Sequence, residues 1–137
     1  MQQGQDDPEL FHKLGLLYEK KGDIPMARKN YRMVLQLKPD YAPALIQSAM
    51  LSINENDYTE ALKLFKHAVE IQPENVKLYY NIACIYSIQN QNDLSIEWLK
   101  KAVAKGYDNW DMLMNDKDLE NIRHLPGYKE LVKDKLH

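Results

Sequence analysis

Residues 11–39 contain Phe11-His12-Lys13-Leu14-Gly15-Leu16-Leu17-Tyr18, then Ala27-Arg28-Lys29-Asn30-Tyr31, then Pro39. The same arrangement returns 34 residues later. Ala27 falls on Ala61 and then Ser95, Tyr31 on Phe65 and Leu99, and Val34 on Ala68 and Ala102. Phe11 maps to Leu45 and Tyr79, Gly15 to Ala49 and Ala83, Tyr18 to Ser52 and Tyr86, Asp23 to Asp57, and Pro39 to Pro73. Size class is kept at most of these places, which is what packing demands of a structural repeat.

Each repeat divides into two helices. Phe11, Leu14, Gly15 and Tyr18 recur at intervals of three and four, the apolar face of an amphipathic helix over 8–21. Pro8 suits the first turn, where its missing N–H has no partner to lose. Gly22 ends the helix by adopting the left-handed conformation, and Asn56 and Asn90 take the equivalent turns because Asn tolerates that region next best. A second helix over about 24–37 carries Ala27, Tyr31, Val34 and Leu35. It stops before Pro39, which pushes its predecessor out of the helical region. The pattern predicts further helices at about 42–55, 58–71, 76–89 and 92–105.

The small residues Gly15, Ala49 and Ala83, facing Ala27, Ala61 and Ser95, let paired axes approach closely. The rings of Tyr18, Tyr31, Phe65, Tyr79 and Tyr86 fill the space between repeats. This set of residues, Phe11-x-x-Leu14-Gly15-x-x-Tyr18, Ala27-x-x-x-Tyr31 and Pro39, resembles the tetratricopeptide repeat. The second repeat has Ser48 and Ser52 at the Leu and Tyr places, and the third has Tyr107 where proline is expected. The resemblance implies an all-α chain: three tandem helix-turn-helix units in a short right-handed superhelix, followed by capping helices. The expected boundaries are a disordered or short N-terminal lead-in at 1–7, repeats at 8–41, 42–75 and 76–109, and a cap at 110–137.

The period fails after residue 109, where Lys117 stands in the place of Ala83. Asp108 or Asn109 can cap a short helix holding Trp110, Leu113 and Met114. A second helix is expected from about Asp116 to Leu125, broken by Pro126-Gly127, and a last one carries Tyr128, Leu131, Val132 and Leu136. A solenoid's final repeat exposes an apolar face that a terminal element must cover. Trp110, Leu113, Leu119, Ile122, Leu125 and Tyr128 are assigned to that cover.

The 18 basic residues nearly balance 20 acidic ones. That gives no field for collecting nucleic-acid phosphates or anionic lipid headgroups. No run of 18 apolar residues offers a membrane span. The lone Cys84 and the lack of a basic-then-apolar start slightly favour the cytoplasm, although an excised fragment of a longer protein fits the same observations. His12, His67, His124 and His137 lack zinc spacing, so no metal and no cofactor are expected. Asp116-x-Asp118-x-Glu120 resembles the start of a calcium loop, but Asn121 replaces the required glycine and Gly127 stands where a bidentate Glu belongs. Cys84, among Ile82, Ala83 and Ile85, reads as a packed thiol. With no catalytic constellation, the chain is expected not to be an enzyme.

In the resembled family the first helices of successive repeats line a concave groove. The residues that packing leaves over are then His12, Leu16 and Glu19 in the first repeat, Ile46, Gln47, Met50 and Ile53 in the second, and Lys77, Tyr80 and Cys84 in the third. Ile46, Met50, Ile53 and Tyr80 make this strip apolar in the middle, and exposed contiguous apolar surface marks an interaction site. The expected partner is an extended peptide or an amphipathic helix with apolar side chains, and the expected role is a scaffold or adaptor. Coverage of the strip by the chain's own ends, or by a second copy in a self-assembling structural domain, is the alternative. A two-carboxylate clamp for chaperone tails, known in the family, is disfavoured. The corresponding places hold His12, Leu16, Gln47, Lys77 and Asn81, and only Lys77 fits.

Overall fold

The computed structural model describes residues 7–135, and every regular element among them is helical. Helices α1 (Pro8–Lys20), α2 (Ile24–Leu37), α3 (Ala42–Asn54), α4 (Tyr58–Ile71), α5 (Val76–Ile88) and α6 (Asn92–Ala104) form three helical pairs. They are followed by α7 (Trp110–Asn115), a 3-10 turn at Lys117–Leu119, α8 (Pro126–Val132) and a second 3-10 turn at Lys133–Lys135. Apart from Asp7, the expected lead-in at 1–7 lies outside the described residues, as does Leu136. No described helix is long and apolar enough to cross a membrane.

Local chemistry sets these bounds. Asp7, Asp23 and Asp57 each turn a carboxylate back onto the first helical turn, accepting from the N–H groups of Glu9, Met26 and Glu60 at 3.0, 3.2 and 3.2 Å. Such caps contribute about 1 kcal/mol each. At the turns within each pair, Gly22, Asn56 and Asn90 all have positive φ, at 84°, 61° and 61°. The left-handed conformation expected at this repeated position is therefore present in all three pairs.

The chain forms two compact units, Met1–Gln72 and Pro73–His137. In the first, α1 packs on α2, α2 on α3, and α3 on α4. The crossing of α1 and α2 is tight. Tyr31 is fully buried, and a Cβ added at Gly15 would lie 2.4 Å from its Cε1 and 2.7 Å from its Cδ1. Ala27, Tyr31 and Leu51 form one buried cluster, with Tyr18 and Ile24 against it.

In the second unit α5 packs on α6 and carries its own cover. Where Ser95 replaces the alanine of the other pairs, its hydroxyl donates to the Ala83 carbonyl at 2.7 Å, so the close approach is kept and the polar group is satisfied. Leu113, Leu119, Ile122 and Tyr128 are buried as assigned, whereas Trp110 and Leu125 are half-buried, and Val132 joins the buried set. One expectation is corrected. Residues 116–125 hold only a three-residue 3-10 turn followed by further turns, not a helix. Pro126 opens α8 and does not break a preceding helix, because proline costs nothing where the N–H would be unpaired. Gly127 admits the Ile96 side chain, whose Cγ2 would lie 2.9 Å from an added Cβ.

Two stability outcomes follow. Gly15→Ala gains about 1 kcal/mol of helix propensity but overpacks against a rigid ring at a cost of about 1–3 kcal/mol. Urea denaturation should therefore show a net loss, and Tyr31→Leu in the same chain should restore part of it. A Gly15→Ala chain at least as stable as wild type would mean that the ring yields freely. At Asn56, Gly should be tolerated, while Ala should cost roughly 1–2 kcal/mol, because a Cβ opposes the left-handed backbone without the side-chain bond that Asn supplies.

Candidate interaction surface

In the first unit the hub is Tyr31. Its hydroxyl donates to Glu19 Oε1 on α1 at 2.7 Å, and Gln47 on α3 hydrogen-bonds the same group. Burial, then the bond to Glu19, pushes the phenol well above its ordinary range, so it remains a donor. The His12 ring centroid lies 5.6 Å from the Tyr31 ring and 5.6 Å from the Tyr41 ring. Burial lowers the pKa of His12, partly opposed by the Glu19 charge, which favours the neutral ring. His12, Glu19 and Gln47, expected to face a partner, are thus engaged with Tyr31 and anchor the edges of α1 and α3.

Leu16 lies one turn from both His12 and Glu19, and Met50 lies one turn from Ile46, Gln47 and Ile53. Leu16 and Met50 are 39% and 41% exposed, and Ile46 and Ile53 are half-buried. Leu16 thus neighbours Glu19 on α1 and Met50 neighbours Gln47 on α3, the two residues that meet the Tyr31 hydroxyl. Leu10 and Leu17 on α1 are also exposed and were not anticipated.

The second unit differs. Tyr80 and Cys84 are only 6% and 7% exposed. Tyr80 stacks on Tyr107, with centroids 4.5 Å apart and an interplanar angle of 6°, and donates to Asp116 Oδ2 at 2.6 Å. Cys84 Sγ lies 3.9 Å from that oxygen, and Asn121 Nδ2 donates to the Ser87 carbonyl at 2.9 Å. The face of α5 expected to line a groove is therefore covered by residues 107–121 of its own chain. The contact area expected of Tyr80 and Cys84 lies inside the unit. Lys77 remains exposed, beside a hollow of about 470 Å³ lined by Tyr80, Asn81, Tyr107, Asn109 and Met112 among others.

The structure also unites residues that the sequence left apart. Ligand atoms of Cys84, Asp116 and Asp118 all lie within 4.8 Å of one another. The departure at Tyr107, an aromatic residue where proline was expected, was the available signal that the chain turns back here. Nothing in the spacing of Cys84 and Asp116 announced their meeting.

A tetratricopeptide-repeat profile matches residues 8–41, and one described as a domain of unknown function (DUF6340) matches residues 47–133. Among curated proteins, the chain is similar to Hsp70-Hsp90 organizing protein 2 of Arabidopsis thaliana, with 24% identity over 93% of this chain and 22% of that protein. It is also similar to a chloroplastic protein of the same plant, with 30% identity over 87% of this chain and 36% of that protein. The chain thus spans well under half the length of either relative. Among solved structures, MamA from Desulfovibrio magneticus RS-1 aligns with a TM-score of 0.73 at 21% identity, over 94% of this chain and 71% of that one. The N-terminal domain of stress-induced protein-1 from C. elegans aligns with a TM-score of 0.70 at 20% identity, over 82% and 94%. With its helical pairs, turn residues and small-residue crossings, the chain belongs to the tetratricopeptide-repeat proteins and, through residues 47–133, to the DUF6340 family.

Proposed function

We propose that this chain is a protein-interaction module that holds an apolar segment of a partner on the first unit. The observation that carries this reading is the pair Leu16 and Met50, two large apolar side chains left about two-fifths exposed beside a satisfied polar anchor. Half-buried Ile46 and Ile53 extend the patch. Met adapts to partners of varied shape, and the Tyr31–Glu19 bond holds the α1 edge in place before a ligand arrives. The similarity to a protein named for organizing two chaperones supports a role in gathering other proteins. The mode of capture differs from a two-carboxylate clamp, because His12, Leu16 and Gln47 occupy its places on the first unit. An extended peptide or amphipathic helix with a short apolar row suits the patch. With Tyr80 and Cys84 covered, the surface is small and the affinity modest.

The test selects peptides from a random display library with the wild-type chain, after light scattering has fixed its absolute mass. Peptides so selected should lose at least about tenfold in affinity for Met50→Glu and for Leu16→Glu, a loss of about 1.4 kcal/mol or more, with helicity unchanged by circular dichroism. Selected peptides that bind both variants as well as wild type would overturn the assignment. A wild-type oligomer that Met50→Glu dissolves would replace it with self-assembly through the same patch.

A further inference from the structure

We propose that Cys84, Asp116 and Asp118 bind one divalent cation of the zinc class, which clasps the C-terminal tail to α5. The three donors come from two places: Cys84 from the middle of α5, and Asp116 and Asp118 from the cap and the body of the 3-10 turn that follows α7. Their ligand atoms lie within 4.8 Å of one another, and Cys84 Sγ is 3.9 Å from Asp116 Oδ2. Zinc bonds of about 2.3 Å to sulfur and 2.0–2.2 Å to oxygen, set tetrahedrally, separate neighbouring donors by roughly 3.3–3.7 Å. Small side-chain movements would close this cluster on an ion.

Two further observations describe the polar groups on this face of α5. Cys84 is more than nine-tenths buried and directs its sulfur at a carboxylate, at a distance where a thiol, a weak donor, gains little. One turn further along the same face of α5, Ser87 Oγ is fully buried with no hydrogen-bond partner. Three protein ligands with one open position is an established zinc arrangement.

The surroundings support the donors. Tyr80 donates to Asp116 Oδ2, and the Asp118 N–H donates to Asp116 Oδ1 at 2.9 Å, so the carboxylate is oriented from both sides as outer-shell partners orient metal ligands. Arg123 donates to the backbone carbonyl of Asp116, not to its carboxylate. Lys117 is the basic group that acts on Asp118, whose pKa burial and the Asp116 charge raise. The two carboxylates thus lie close together. A thiolate among the donors selects against calcium and magnesium, which take oxygen ligands. Burial raises the Cys84 pKa, so the free thiol keeps its proton. Binding forms the metal–sulfur bond and releases that proton to solvent.

The experiment titrates chelator-treated full chain with cobalt(II), and then with zinc(II). One equivalent of cobalt should produce a thiolate-to-cobalt charge-transfer band that zinc abolishes, and zinc should raise the thermal midpoint. Cys84→Ala should lose the band. Since that buried position is open to misfolding, Asp118→Asn provides the second variant. It alters an exposed carboxylate and should weaken zinc binding at least about tenfold with helicity unchanged. A wild-type chain with no such band, or an Asp118→Asn chain with unaltered zinc affinity, would overturn the site and leave a hydrogen-bonded cluster held by Tyr80.

Discussion

Two helices share a core only as closely as their crossing residues allow. In this chain α1 yields at Gly15, and the Tyr31 ring occupies the space a side chain would have taken. Much of the first unit follows from that contact. With the ring seated against α1, its hydroxyl reaches Glu19, and Gln47 of the next helix joins the same group. One aromatic residue thereby ties three helices, with its apolar body in the core and its polar end at the edge.

That arrangement sorts the residues of the α1 and α3 edges into two kinds. Glu19 and Gln47 hydrogen-bond to Tyr31, and the His12 ring packs beside it. Leu16, Met50, Ile46 and Ile53 have no such engagement, and they form the apolar part of the surface. Burial raises the pKa of the phenol and lowers that of the neighbouring histidine, so both shifts favour the neutral forms at this edge.

The second unit solves the same packing problem with its own sequence. Tyr107 stacks on Tyr80, Asp116 receives the Tyr80 hydroxyl, and Asn121 reaches a carbonyl of α5. The tail thus does for the third helical pair what a following repeat would do in a longer array. It also concentrates a thiol and two carboxylates in a place where a solenoid repeat would carry only packing residues.

The repeat, the helices and their ends were legible in the residues alone. Ala27, Ala61 and Ser95, the turns at Gly22, Asn56 and Asn90, and the prolines Pro39 and Pro73 after the first two pairs act over one or two turns of chain, and their causes are local. The six paired helices end within a residue or so of where those signals put them. In the tail the first and last short helices were legible but the segment between them was not, since Pro126 has the same identity whether it stops one helix or starts the next. The surface depended on longer-range facts. Nothing in the period distinguishes Met50, which stays exposed, from Cys84, its equivalent one repeat on, which is covered. That difference arises because a non-repeating segment more than 30 residues away folds back on α5. Contacts between residues so far apart are decided by which surfaces can be buried together, a property of the assembled fold and not of any local stretch of sequence.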